Sequence, residues 1–236
     1  MRCAQLTEGA CDMDLCIDTA EVVRYLGHRQ QPIDERLRDQ ITEAAAAVRS
    51  VARPCYIYRF YDVHCGAEHC LLGNGALALP GADIGRLLAA ASSCAVMTAT
   101  IGSGVDTALA QLSRTSMAEA VIFDACATAA VESVCDRVEE EIADCARQQG
   151  RYITARFSPG YGDLPVEVQP QIVRLLDTHR QIGVSITESC MLVPSKSVTA
   201  LIGLLDTPPG LGRDGCAGCS QYERCCYRRK GGTCVS

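Results

Sequence analysis

The run Arg156-Phe157-Ser158-Pro159-Gly160-Tyr161-Gly162-Asp163 joins the end of an extended segment to a rigid turn. Pro159 fixes its own φ, and Gly160 lets a ligand come close to the backbone. Arg156 offers a two-pronged fork suited to a carboxylate. Tyr161 offers a flat apolar face with a polar tip. Together these groups can hold an amino-acid carboxylate and an adenine ring. The same residues also read as an ordinary Pro-Gly turn beside a surface arginine, and the turn taken alone favours that plainer account.

Upstream of this run the dominant feature is a long helical pattern, expected over residues 117–148. Its apolar stripe is Ala127, Val131, Val134, Val138, Ile142 and Cys145, spaced by three and four residues. Gly150 suits its C-terminal stop. Further back, helices are expected over residues 19–26, 34–51 with Asp34 as cap, 84–92 opened by Asp83, and 105–113. Strands are expected over residues 56–60, 77–79 and 95–100. Downstream, a helix is expected over residues 165–180 with Asp163 placed to cap it. Strands should follow over residues 184–187 and 197–204, the latter with Val198, Ala200 and Ile202 on one face. Helices and strands are mixed without strict βαβ alternation, so the expected fold is α+β with a mainly antiparallel sheet.

The chain has 236 residues, 48% hydrophobic and 21% charged, which suits a globular protein with a real core. With no Trp and only 5% aromatics, that core must be built from Ala, Val, Leu and Ile. The net charge of −6 is uneven. Residues 211–236 carry Arg213, Arg224, Arg228, Arg229 and Lys230 against Asp214 and Glu223, so this tail is positive and the body more acidic than the whole. An acidic body argues against nucleic acid as a partner. Asp12, Asp14 and Asp18 interrupt any signal-like apolar run, and residues 87–101 are too short and too polar for a membrane span. A cytoplasmic protein without membrane attachment is expected. In that setting sixteen cysteines point to thiols, metal or cluster ligands, or redox chemistry rather than to disulfides.

The composition changes abruptly after Pro208-Pro209-Gly210, which suggests a body of residues 1–210 and a Cys-rich tail of 211–236 too short for its own apolar core. In the tail Cys216, Cys219, Cys225, Cys226 and Cys234 place five thiols within nineteen residues. Two Cys separated by two residues can share one metal. An iron–sulfur cluster, structural zinc and free thiols all remain open, because ligand spacing does not separate them. His64-Cys65 and His69-Cys70 offer a further metal-ligand pattern at spacing five, though scattered surface and core positions account for them better. Cys94, Cys126, Cys135, Cys145 and Cys190 sit in apolar or helical contexts and read as small core residues.

Several segments taken in order resemble the reactivation (activation) domain of vitamin B12-dependent methionine synthase. They are the run from Arg156 to Tyr161, Leu175-Leu176-Asp177, Ile182-Gly183-Val184-Ser185-Ile186-Thr187-Glu188-Ser189, and Ser197-Val198-Thr199, preceded by a helix over residues 124–141. The resemblance is clear over residues 124–202. In that family the RxxxGY motif holds S-adenosylmethionine, and the domain supports reductive methylation of cobalamin that has lost its activity by oxidation. The resemblance implies that Arg156 takes the ligand carboxylate, that Ser158, Pro159 and Gly160 line the ligand, and that Tyr161 packs on it. Glu188 and Ser189 match a family stretch next to the site. Implied partners are a cobalamin-dependent methionine synthase or another corrinoid protein, and an electron donor such as a flavodoxin or ferredoxin. An iron–sulfur or zinc-binding redox accessory protein is the alternative. No catalytic residue is expected, since the Co(I) centre is itself the nucleophile. Two departures stand out. The family's further tyrosine-bearing strands have no counterpart after Asp206. A family helix carboxylate falls near Thr128, with Glu132 one turn later as a substitute.

Overall fold

The computed structural model describes residues 7–9, 13–28, 33–66 and 69–208. The proposed tail ligands Cys216, Cys219, Cys225, Cys226 and Cys234 lie outside the described residues.

In chain order the elements are β1 (Thr7–Gly9), α1 (Thr19–Tyr25), α2 (Glu35–Val51), β2 (Cys55–Cys65), β3 (His69–Leu72), β4 (Leu77–Pro80), α3 (Ala82–Leu88), β5 (Ala91–Thr100), α4 (Ser103–Thr115) and α5 (Met117–Gln148). Then come β6 (Tyr152–Ile153), a 3-10 turn at Val166–Val168, α6 (Gln169–Leu176), α7 (Thr178–Ile182), β7 (Ser185–Ile186), β8 (Leu192–Val193) and β9 (Ser197–Leu205).

The main sheet runs β4-β3-β2-β5-β9-β6, and its pairings are antiparallel. β1 pairs with Tyr56, Ile57 and Tyr58 on the edge of β2 that β3 occupies further along. β7 and β8 form a separate two-stranded hairpin. Side chains alternate across a strand, so each face of the sheet presents its own apolar set. Tyr58, Met97, Ala200 and Ile202 pack under α2 and α5, joined by Ile41, Val48, Phe123, Val134 and Val138. On the opposite face Ile57, Val96 and Leu201 meet Ile84 and Leu88 of α3 and Ile172 and Leu176 of α6. The fold is therefore α+β, a mainly antiparallel sheet between two helical layers. Each fully buried Leu, Ile or Val contributes about 1.5–3 kcal/mol to it.

The 32 residues of α5 span about 48 Å. The expected stripe faces the core, with Val134, Val138 and Ile142 fully buried. Ser116 caps the helix by accepting from the Glu119 N–H.

Three expectations need correction. The helix expected over residues 84–92 ends at Leu88, and β5 has begun by Ala91. The helix expected over residues 165–180 is broken at Asp177, whose left-handed backbone (φ 51°, ψ 43°) separates α6 from α7. Asp163 does not cap that helix. Its carboxylate accepts from the N–H groups of Ala82 (2.7 Å) and Asp83 (3.0 Å), at the start of α3.

Cys65 and Cys70 form a disulfide rather than free thiols. They are directly opposed on β2 and β3. By strand alternation His64 and His69 lie on the other face of the hairpin, so the four residues do not converge on one metal. Among the described residues no cluster of metal-ligating side chains is found. No helix among them is long and apolar enough to cross a membrane.

Candidate functional site

The chain from Thr154 to Phe157 lies along the outer edge of β9. Thr154 exchanges bonds with Gly203 (2.9 Å each), and Phe157 pairs with Leu201 at 3.0 and 2.9 Å. Beyond this point the chain leaves the sheet. Among the described residues, no strand pairs the outer edge of β9 over residues 197–200.

The departing chain is the turn at residues 158–162. The Tyr161 N–H donates to Ser158 O (3.1 Å), the Gly160 N–H to Leu164 O (2.9 Å), and the Leu164 N–H to Tyr161 O (3.1 Å). Pro159 is buried and anchors the turn, whereas Gly160 and Tyr161 are exposed. Gly160 has φ +93°, and a Cβ added there would meet nothing within 4 Å. The bend therefore faces open space rather than packed protein. Its far end is tightly fixed. A Cβ on Gly81 would come within 2.7 Å of Asp163 Oδ1, and one on Gly162 would collide with the Asp83 carboxylate.

Arg156 projects the other way, onto α5. Its Nη2 donates to Asp136 Oδ1 (2.7 Å) and more distantly to Glu132 Oε2 (3.5 Å), and its Nε pairs with Glu139 Oε2 (2.9 Å). The side chain is 15% exposed, and Nη1 is buried with no hydrogen-bond partner. One prong of the fork is thus unengaged, while the charge is already compensated by three carboxylates. A ligand carboxylate has to meet Nη1 or displace Asp136, the most exposed of the three at 68%. Burial pushes the pKa of Glu132 and Glu139 upward, and Arg156 opposes that push in both.

Lys196, at the start of β9, reaches back to α5. Its Nζ is 2.8 Å from Asp124 Oδ1 and donates to Thr128 Oγ1 at 2.9 Å. Thr128, which stands where the resemblance places a carboxylate, is therefore occupied by a lysine contact. Glu132, the suggested substitute, faces Arg156.

Glu188 and Ser189 lie in the exposed turn of the β7–β8 hairpin, where Ser189 and Thr187 hydroxyls are 2.9 Å apart. Gln169 ties this hairpin to the sheet: its amide donates to Cys190 O (3.1 Å), and its oxygen accepts from Thr199 Oγ1 (3.2 Å). Arg156 and the turn after it thus lie at the edge of β9, while Glu188 and Ser189 lie in the exposed hairpin that Gln169 links to Thr199 of β9.

One feature was missed in the sequence. Glu132 and Asp136 also line a groove of about 930 Å³ between α5 and the N-terminal segment, with Cys16, Glu21, Tyr25 and Tyr56 among its other walls. Tyr56 Oη donates to Glu141 at 2.7–2.8 Å, and burial raises its pKa. The acidic positions 132, 136 and 140 recur every four residues along α5, which was a readable sign of one shared face.

Residues 90–206 match the family model for the activation domain of vitamin B12 dependent methionine synthase. Over these residues the chain is similar to that activation domain. The matched activation-domain segment takes in β5, α5, the Arg156 turn, the β7–β8 hairpin and β9. A crystal structure of the MetH reactivation domain bound to AdoHcy has the same fold, with TM-score 0.62 at 12% identity, covering 98% of this chain and 87% of that one. No curated protein matches the chain.

Proposed function

We propose that this protein binds S-adenosylmethionine in the space bounded by the residue 158–162 turn, the unpaired edge of β9 and the adjoining face of α5. There it supports reductive methylation of cobalamin carried by a separate methionine synthase or other corrinoid protein. The observation that carries this reading is the open bend at Gly160, close in sequence to an arginine held on α5 with one unengaged prong, in a segment that matches the activation-domain model. The solved relative with this fold holds AdoHcy, the product left when S-adenosylmethionine gives up its methyl group.

Each group has a task in this reading. Arg156 takes the ligand carboxylate in place of Asp136, and Glu132 offers an oxygen to its ammonium group. Gly160 lets the ligand lie on bare backbone, Ser158 and Pro159 line it, and Tyr161 supplies a flat contact. Glu188 and Ser189 border the site from the hairpin. When bound, the ligand would supply an activated methyl: a partner's Co(I) corrinoid would attack the methyl carbon, and the C–S electron pair would leave with sulfur as AdoHcy. The protein's contribution is orientation and exclusion of water rather than acid–base chemistry. A flavodoxin or ferredoxin, or a cluster held by the tail cysteines, is the proposed electron source.

Calorimetric titration of the full chain with S-adenosylmethionine tests the reading. Saturable binding that AdoHcy competes away and Tyr161→Ala weakens is expected. No heat and no competition from the folded wild-type chain overturns it.

A further inference from the structure

The Cys65–Cys70 bridge lies one ladder step from the junction that holds the turn. Cys70 is paired with Leu79 and His69 with Pro80, the last residues of β4. Gly81 follows, and the next two N–H groups are those accepted by Asp163, directly after the residue 158–162 turn. A connected path therefore runs from the bridge through β4 and the start of α3 to Asp163. Gly81 and Gly162 are close-packed at its end, so the junction has little slack.

The bridge is placed poorly for a staple and well for exchange. Its partners are five positions apart in sequence, and the strands that carry them are already in register. A short loop limits what a bridge takes from the unfolded chain. Cys65 is exposed, whereas Cys70 is fully buried. An incoming thiolate has access to one sulfur, and access governs exchange.

We propose that Cys65 and Cys70 form a reversible thiol–disulfide pair whose state sets how firmly the β4–α3 junction, and with it Asp163, is held. In the reductive step a thiolate of a dithiol reductant attacks Cys65 Sγ. The Cys65–Cys70 bond breaks, and Cys70 leaves as thiolate and takes a proton. The second thiol of the reductant resolves the mixed disulfide, freeing Cys65 as a thiol and leaving the reductant oxidised by two electrons. With the bridge open, the ends of β2 and β3 are held by the ladder alone. The consequence for Asp163 does not depend on what the turn binds.

The test equilibrates the folded full chain in a series of glutathione buffers. Differential alkylation with mass spectrometry reads Cys65 and Cys70, and hydrogen exchange reads the amides of Ala82 and Asp83. The expected result is a bridge that opens and recloses without denaturant, with amide exchange at Ala82 and Asp83 faster by about threefold or more in the open form. Cys65→Ser should show the faster exchange in every buffer. Three results overturn the proposal: a bridge that opens only in denaturant, thiols that never pair in any buffer, or opening that leaves both amides unchanged.

Discussion

Asp163 holds the first N–H of a helix that starts far upstream, at Ala82, with a 2.7 Å bond across 81 positions of sequence. Through this one carboxylate the turn after Arg156 is fastened to the sheet hairpin. α3 itself begins at Gly81 without a side-chain cap of its own. Asp163→Ala should therefore cost about 1–2 kcal/mol, the range for loss of a helix cap. Asp163→Asn should cost less, since its amide oxygen still accepts. Urea denaturation of the three proteins checks this, and equal midpoints for Ala and wild type would contradict it.

Arg156 compensates three carboxylates, so its removal has a structural cost apart from any ligand. Arg156→Ala should destabilise the fold by about 1.5–3 kcal/mol, the range for hydrogen bonds to charged groups. The lower end is expected, because Asp136 is exposed and solvent screens it. Asp136→Asn separates the two effects. It keeps Arg156 in place against Glu139, weakens the competition for the guanidinium, and should tighten binding of S-adenosylmethionine in calorimetry. Unchanged or weaker affinity would place the ligand carboxylate elsewhere.

The part of this molecule legible in sequence is the part written in local pattern. The stripe from Ala127 to Ile142 and the Gly150 stop mark α5, and Val198, Ala200 and Ile202 mark the inward face of β9. The Asp177 break was not legible, because a left-handed aspartate inside an apolar helical pattern leaves no periodic sign. Nor was the destination of Asp163, since a carboxylate before a helix looks the same whether it caps that helix or one 80 residues away. Arg156 was recognisable as a charged fork. The acids that meet it lie a turn apart on another element, and only the packing of α5 against the edge of β9 brings them together.

Glu132 gives a pH prediction. Burial raises its folded-state pKa above the ordinary value of 4.5, and the attraction of Arg156 only partly offsets this. For a group whose folded pKa is raised, the stabilising contribution is full below the unfolded pKa and is lost as pH climbs through the folded one. The charged side chain is thus a net liability at neutral pH. Glu132→Gln should have a higher Tm than wild type at pH 7, and the gap should close as pH falls below about 4.5. A Glu132→Gln protein less stable at pH 7 than wild type would mean that the Arg156 contact outweighs burial.

Burial also divides the cysteines by reactivity. Cys94 is fully buried, with its thiol against the Ala95 carbonyl, and its pKa is pushed up to about 12. Cys135, on the buried face of α5, is likewise pushed up to about 12, and Cys126, against the Ile41 carbonyl, to about 11. The thiolate is the reactive form, and at pH 8 a thiol of pKa 12 is ionised in only roughly one molecule in ten thousand. Cys16, by contrast, is exposed at the mouth of the acidic groove. Iodoacetamide at pH 8 should therefore modify Cys16 in the native protein and leave Cys94, Cys126 and Cys135 untouched until denaturant is added. Peptide mapping by mass spectrometry reads each position separately. Native modification of Cys135 at the rate of Cys16 would mean that α5 opens from the sheet on the labelling timescale. The carboxylates that hold Arg156 would then be free to part from it.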